Sequence, residues 1–355
     1  MQNQFRYVIG LMSGTSLDGI DLVYVKFKKN NDKNFEIIEA QTVAYSAEWY
    51  EKLKTAINLS SESLLALDIE YGNYLGSIIN SFIKTNKIEI LDFIASHGHT
   101  VLHQPDKGIT FQVGNGQQIA NETGYKTICD FRSQDVALGG QGAPLVPIGD
   151  ELLFSDYDYC LNLGGFANVS FNHKKNRIAF DICPVNIVMN NYIQNIGLPY
   201  DDKGVLAATG KVNEELLRSL NELDFYEDKP PKSLGLEWVK EKVFPLINNL
   251  ETNLPNILRT FVEHCAIQIA AIIDDNKTIL VTGGGTFNTF LIDKIKEKVG
   301  SEVKLPNTQL VNFKEALIFA FLGVLKDENR VNCLKSVTGA KKDHSSGVIF
   351  QPEIL

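Results

Sequence analysis

Residues 5–28, FRYVIGLMSGTSLDGIDLVYVKFK, decide the fold. Phe5 to Met12 is an apolar run, and Ile20 to Lys28 alternates apolar with polar. The turn from Ser13 to Gly19 between them is polar and carries Gly14 and Gly19. This pattern predicts two antiparallel strands joined by a hairpin. A third strand over 34–44 (NFEIIEAQTVA) completes a meander before any helical periodicity begins. A Rossmann or P-loop domain places a helix directly after its first strand, so this order excludes both.

Outward from the hairpin, helical periodicity covers 47–57 and 62–85, the second opened by the candidate caps Ser60, Ser61 and Ser63. Strands follow at 91–96 and 109–113, then a helix at 116–124. The pattern then starts over. Strands at 157–163, 166–172 and 177–182 form a second meander, its first pair turned by Gly164 and Gly165. Helices at 185–196, 212–222, 235–247 and 254–274, a strand at 278–282, a helix after Gly285 and another at 314–326 complete it. No residue-level repeat is visible, but the repeated element order predicts a structural duplication. A chain of 355 residues is also too long for one ordinary hydrophobic core, so two domains with a central cleft are expected. The boundary is placed near residue 128, giving an N-terminal domain over 1–128, completed by 341–355, and a larger second domain over 129–340.

The net charge of −9 and the lack of a dense Lys/Arg stripe argue against nucleic acid as a partner. Met1 to Gly10 has one Arg and a brief apolar run, neither a signal peptide nor a membrane span, so a cytoplasmic protein is expected. The five cysteines are odd in number and form no CxxC pair, which predicts reduced thiols and no metal site.

Six stretches carry residues suited to chemistry. The hairpin Ser13–Asp21 offers hydroxyls and clustered N–H groups for phosphate oxygens, although the same residues also make ordinary turns. Asp18 and Asp21 are placed to reach Mg²⁺ through water or to stabilise the turn. Thr282-Gly283-Gly284-Gly285-Thr286-Phe287-Asn288 follows an apolar strand and precedes a helix, a nucleotide-binding pattern that can also be purely structural. Leu163-Gly164-Gly165-Phe166-Ala167-Asn168 repeats the hairpin logic in the second half. Asp181 ends the apolar strand RIAFD, where it is either a general base or the cap of the next helix. The run from Asp130 to Pro144 reads as a long polar loop suited to a hydroxylated ligand or simply solvated. The segment Ser96-His97-Gly98-His99-Thr100 through His103 holds three of the six histidines without a converging third ligand type, so hydrogen bonding or packing is preferred to metal binding.

Together these phrases make the chain similar to the anhydro-N-acetylmuramic acid kinase family almost end to end. The resemblance rests on GLMSGTSLDGID (10–21), ASHGHTVLHQP (95–105), DFRSQDVALGGQGAPLVP (130–147), LNLGGFANVSF (161–171), KPPKSLGLEW (229–238), VTGGGTFN (281–288) and SVTGA (336–340). It implies two duplicated ribonuclease-H-like α/β domains of the sugar kinase and actin-like ATPase architecture. It implies ATP with Mg²⁺, a small-molecule amino sugar, and a homodimer. Phosphate contacts are then expected from Gly14, Thr15, Ser16, Leu17, Asp18, Gly19, Ile20 and Asp21, with nucleotide contacts from Gly164, Gly165, Asn168, Gly283, Gly284, Gly285 and Asn288. Asp181 becomes the base, and His97, Thr100 and Arg132 line the sugar site. The chain departs from the family at Asp181-Ile182-Cys183-Pro184-Val185-Asn186, where Asp-Thr-Gly-Pro-Gly-Asn is usual, and at His99, where Gln is common. Ile182, Cys183 and Val185 are expected to turn into the core and leave Asp181 functional. The alternatives are a kinase of the same fold for a different amino sugar and a catalytically silent sensor.

Overall fold

The computed structural model describes residues 4–14 and 17–353. Two compact units are formed, the first by Met1–Leu153 with Phe313–Leu355, the second by Phe154–Asn312. In the first, β1 (Phe5–Ser13), β2 (Ile20–Lys28) and β3 (Phe35–Val43) form the antiparallel meander. β4 (Phe93–Gln104) lies parallel to β1 and pairs with β5 (Ile109–Val113), and β6 (Thr127–Cys129) lies parallel to β4. In the second, β7 (Tyr159–Leu163), β8 (Phe166–His173) and β9 (Asn176–Pro184) repeat the meander. β10 (Thr278–Thr282) then lies parallel to β7, and β11 (Glu302–Lys304) parallel to β10.

The strand orders are therefore β3-β2-β1-β4-β6 and β9-β8-β7-β10-β11, with the same pattern of parallel and antiparallel pairs. This is the duplicated ribonuclease-H-like arrangement that the element order predicts. The first sheet is extended by β12 (Val348–Phe350), antiparallel to β6.

The division between units falls later than the composition indicates. Cys129 ends a strand of the first sheet, and Phe131 packs on Phe319 at 5.8 Å between ring centroids. The helix Thr308–Asp327 closes on β1 so tightly that a Cβ at Gly10 would lie 2.3 Å from the Ala316 carbonyl oxygen. Residues 129–153 and 313–340 thus belong with the first unit, because its sheet needs that helix to cover its apolar face. The same packing explains why Thr308–Asp327, the one helix among the described residues apolar and long enough to cross a membrane, is mostly buried.

In the first unit Leu11, Leu22, Tyr71 and Leu75 share one core with the helix Ser61–Thr85, whose Ser60 cap accepts from Ser63 N–H. In the second, Leu161, Val169, Ile182 and Val281 pack against Phe261 and Cys265 of the helix Leu254–Ala270. All five cysteines are free thiols, and all are buried.

Candidate functional site

In each unit the parallel strands carry their candidate residues at the carboxyl ends, the usual location of ligand sites in sheets of this kind. Ser13 and Ile20 face each other where β1 and β2 meet the turn, and Leu17 N–H donates to the Gly14 carbonyl. Thr15 and Ser16 lie outside the described residues. The Ser13 hydroxyl is buried in a triangle with Tyr45 and Tyr71 hydroxyls, which ties the end of β1 to the core. Ile20 is fully buried and Leu17 packs on the same core, so these two offer a ligand only backbone. Asp18 is exposed. Asp21 is half-buried and accepts from the Thr42 hydroxyl at 2.6 Å. Desolvation raises its pKa, the Thr42 bond opposes, and the Asp18 charge adds to the rise.

The histidine segment in the middle of β4 splits by its contacts. His99 pairs with Ser13, is 4% exposed, and its ring bonds to the Gly14 backbone, so it supports the hairpin from below. Burial lowers its pKa to about 4, and it is neutral at physiological pH. His97 points to a second partner. Arg132 Nε donates to His97 Nε2 at 3.0 Å, while Arg132 Nη1 donates to the Gly142 carbonyl at 2.6 Å. His97 Nδ1 lies 2.8 Å from the Gly98 carbonyl, and its ring packs on Phe319 at 4.5 Å. Burial first, then the Arg132 charge, hold its pKa well below the ordinary value. Arg132 itself falls to about 10 through desolvation and remains cationic. Thr100 sits further along β4 opposite Gln112, half-buried, with no bond to either residue among the described ones. The run 130–144 is less open than expected, because Ser133–Ala137 is helical and the Asp135 carboxylate accepts from Gly142 N–H at 2.7 Å.

One carboxylate escaped the sequence reading. Glu315, on the helix Thr308–Asp327, is solvent-accessible and interacts electrostatically with Lys314, Arg132 and Asp21. Protein crowding around it raises its pKa by desolvation, against the pull of Lys314 and Arg132. Apolar periodicity dominates that helix, and nothing in its sequence marks this acid as different from a solvated one.

In the second unit the glycine loop packs on the hairpin between β7 and β8. Gly283 has φ +85°, and a Cβ there would lie 2.7 Å from Asn162 Oδ1 and 2.8 Å from the Leu163 carbonyl oxygen. Gly285 is similarly close to Leu163, whereas Gly284 has only Asn186 Nδ2 at 4.0 Å. The helix expected after Gly285 is present, and a short turn precedes it. Gly284–Phe287 is a 3₁₀ turn, and the α-helix runs over Thr289–Lys298 with Asn288 as its cap, accepting from Leu291 N–H at 3.0 Å. The Asn288 side chain is 9% exposed and committed to that cap. Gly164 and Gly165 accept from Asn186 and Val185 N–H groups, which fixes the corner after β9 against the hairpin.

Asp181 does not end its strand. β9 runs on to Pro184, with Asn168 opposite Asp181 and Ala167 opposite Cys183, so Ile182 is the extra residue of a β-bulge. A bulge re-aims the neighbouring side chain. Nor does Asp181 cap the next helix, Asn186–Gln194, whose N-cap position is Val185. Its N–H donates to the Lys232 carbonyl and its Oδ2 accepts from Leu234 N–H at 2.8 Å, which explains the role of the KPPKSLGLEW stretch as a clamp on this residue. Desolvation raises the Asp181 pKa, and the Leu234 bond opposes the rise. Ile182, Cys183 and Val185 are 2%, 0% and 0% exposed, inside the core as expected.

Duplicated ribonuclease-H-like units with glycine-bearing turns at the ends of their parallel strands define the class, that of the sugar kinases and actin-like ATPases. The sequence model of anhydro-N-acetylmuramic acid kinase matches residues 6–352. The anhydro-N-acetylmuramic acid kinase of Saccharophagus degradans is 33% identical over 97% of this chain and 98% of its own. That of Xanthomonas oryzae pv. oryzae is 31% identical over 96% of each. Among solved structures, component A of (R)-2-hydroxyglutaryl-CoA dehydratase from Acidaminococcus fermentans is 14% identical, with a TM-score of 0.47 over 89% of this chain and 96% of that one. The chain belongs to the anhydro-N-acetylmuramic acid kinase family and is an ATP-dependent sugar kinase.

Proposed function

We propose that the chain transfers the γ-phosphoryl group of ATP to O6 of 1,6-anhydro-N-acetylmuramic acid while water opens the anhydro bridge, a recycling step for cell-wall sugars. Water oxygen bonds to C1 and the C1–O6 bond breaks. O6 bonds to the γ-phosphorus as the bond to ADP breaks, and Asp181 takes the water proton. The products are N-acetylmuramic acid 6-phosphate and ADP.

The observation that carries this reading is Asp181 itself. It is a half-buried carboxylate of raised pKa, fixed at Oδ2 by Leu234, whose Oδ1 makes no hydrogen bond among the described residues. Such a group is oriented yet basic enough to take a proton. The hairpin 14–21, Gly164, Gly165, Asn168 and the loop 283–285 hold the nucleotide in this reading, and His97, Thr100 and Arg132 hold the sugar. Phosphoryl transfer depends on positioning and charge neutralisation more than on covalent help from the protein.

Mg²⁺ fits the residues at the hairpin, because Asp18 and Asp21 are close enough for one charge to raise the other's pKa and both offer the hard oxygen donors this ion takes. They would hold it through water, and the ion would neutralise charge on the phosphates. The test is ADP release from ATP, Mg²⁺ and candidate anhydro and open-chain amino sugars, with mass spectrometry of the product formed in ¹⁸O-water. Label in a 6-phosphorylated product made from the anhydro sugar supports the reading. Turnover only with a different sugar, or none, overturns it.

A further inference from the structure

Away from the residues assigned to phosphate and sugar, three side chains of unlike chemistry converge inside the first unit. Asp135 lies in the helix Ser133–Ala137. Cys333 and His344 face each other across an isolated antiparallel bridge, each N–H donating to the other's carbonyl at 3.1 Å. One ligand atom from each of the three lies within 4.8 Å of the others. Asp135 Oδ1 is 3.0 Å from Cys333 Sγ and 3.5 Å from His344 Nε2. All are buried, at 0%, 1% and 6% exposure.

The orientation of His344 sets this cluster apart from ordinary packing. Its Nδ1 lies 3.1 Å from the Lys342 carbonyl, which can only accept, so Nδ1 carries the proton. In the neutral ring Nε2 is then a lone pair. It is buried, has no hydrogen-bond partner, and faces a carboxylate oxygen. Two lone pairs aimed at one another away from water repel, and a cation between them removes the conflict. The outer partners have the arrangement found around metal ligands: the far ring nitrogen donates to a backbone carbonyl, and the far Asp135 oxygen accepts from Gly142 N–H. A carboxylate, a thiolate and a neutral imidazole together balance a divalent charge, and sulfur with nitrogen selects zinc over magnesium or calcium.

We propose that Asp135, Cys333 and His344 hold a zinc ion that fastens the C-terminal segment to the loop bearing Arg132. On binding, the Cys333 S–H proton leaves to solvent as the S–Zn bond forms. The anchor of Arg132 is then secured at one remove, since Gly142 donates to Asp135 and accepts from Arg132. Residues 135, 333 and 344 have no motif spacing in the sequence.

The test uses the full chain, purified from zinc-supplemented cells and dialysed, without nucleotide or sugar, so it is independent of the kinase reading. Elemental analysis is expected to give about one zinc per chain. Cobalt(II) replacement is expected to show a sulfur-to-cobalt charge-transfer band, lost in Cys333→Ser. His344→Gln is expected to weaken zinc at least tenfold while circular dichroism stays native. A folded wild-type protein with no stoichiometric zinc and no thiolate–cobalt band overturns the proposal, as does full zinc retention in Cys333→Ser. Should Cys333→Ser fail to fold, the wild-type cobalt spectrum and His344→Gln decide it.

Discussion

Arg132 donates to His97 through Nε and to Gly142 through Nη1, so one guanidinium joins the middle of β4 to the far side of its own loop. Two bonds from a planar fork fix its direction in a way that a lysine ammonium does not reproduce. Arg132→Lys is therefore expected to raise the KM for the sugar at least tenfold, with the KM for ATP changed less than about threefold. Steady-state kinetics with each substrate varied in turn checks this. An equal rise in both constants would make Arg132 a structural residue only.

The glycine loop permits a comparison of neighbours. At Gly283 a side chain meets both a positive φ and Asn162 with Leu163, so Gly283→Ala is expected to cost about 2–4 kcal/mol in stability from strain and overpacking. At Gly284 the nearest atom is 4.0 Å away, so Gly284→Ala should fold normally. If the loop touches nucleotide, Gly284→Ala still loses ATP affinity, by about fivefold or more from close backbone approach. Thermal melts separate the first effect, and calorimetric titration with ATP tests the second. Unchanged ATP affinity in Gly284→Ala would remove this loop from the nucleotide site.

Much of this arrangement is legible in the chain because local patterns suffice for it. The two meanders follow from period-two alternation around glycine turns, and their repetition yields the duplicated topology. What was missed depends on contacts distant in sequence. β12 exists only because β6 offers an edge, and the domain boundary shifts because helix Thr308–Asp327 packs on Gly10. Asp181 reads as a strand end because Ile182-Cys183-Pro184 alternates poorly, whereas the bulge carries the strand through. That the Asn288 side chain caps the helix after the 3₁₀ turn is likewise not visible in the glycine pattern. His99 and His97 are two residues apart and appear equivalent, but they serve the hairpin and Arg132 respectively.

The raised pKa of Asp181 has opposite consequences for rate and stability. In the proposed role of base it acts ionised, so kcat/KM is expected to fall with decreasing pH along a limb above the usual aspartate range near 3.8. In Asp181→Asn turnover should drop about 100-fold or more with ATP binding retained. For stability the sign is reversed. A folded pKa above the unfolded one means that the native state disfavours the charge, a penalty complete above the folded pKa and gone below the unfolded one. Asp181→Asn is thus expected to raise Tm at pH 7, with the gain vanishing as the pH falls below about 4. Near-normal turnover in this variant would remove the base assignment.

The family's usual Thr, Gly and Gly at 182, 183 and 185 provide the last test. In this chain Ile182, Cys183 and Val185 fill the core of the second unit beside Cys265, and the corner after them is held by backbone bonds from Val185 and Asn186 to Gly165 and Gly164. The side chains therefore support the strand and following helix from inside the core. Restoring the family residues removes buried apolar groups and adds two flexible glycines, a loss of about 3–6 kcal/mol. That is a large share of the ~5–15 kcal/mol by which domains are ordinarily stable. The triple variant is expected to melt at a markedly lower temperature and to gain no kinase activity per folded molecule on anhydro-N-acetylmuramic acid. A wild-type protein inactive on this sugar, with activity appearing only after restoration, would show instead that the departure abolished the ancestral reaction, and the proposed function would fall with it.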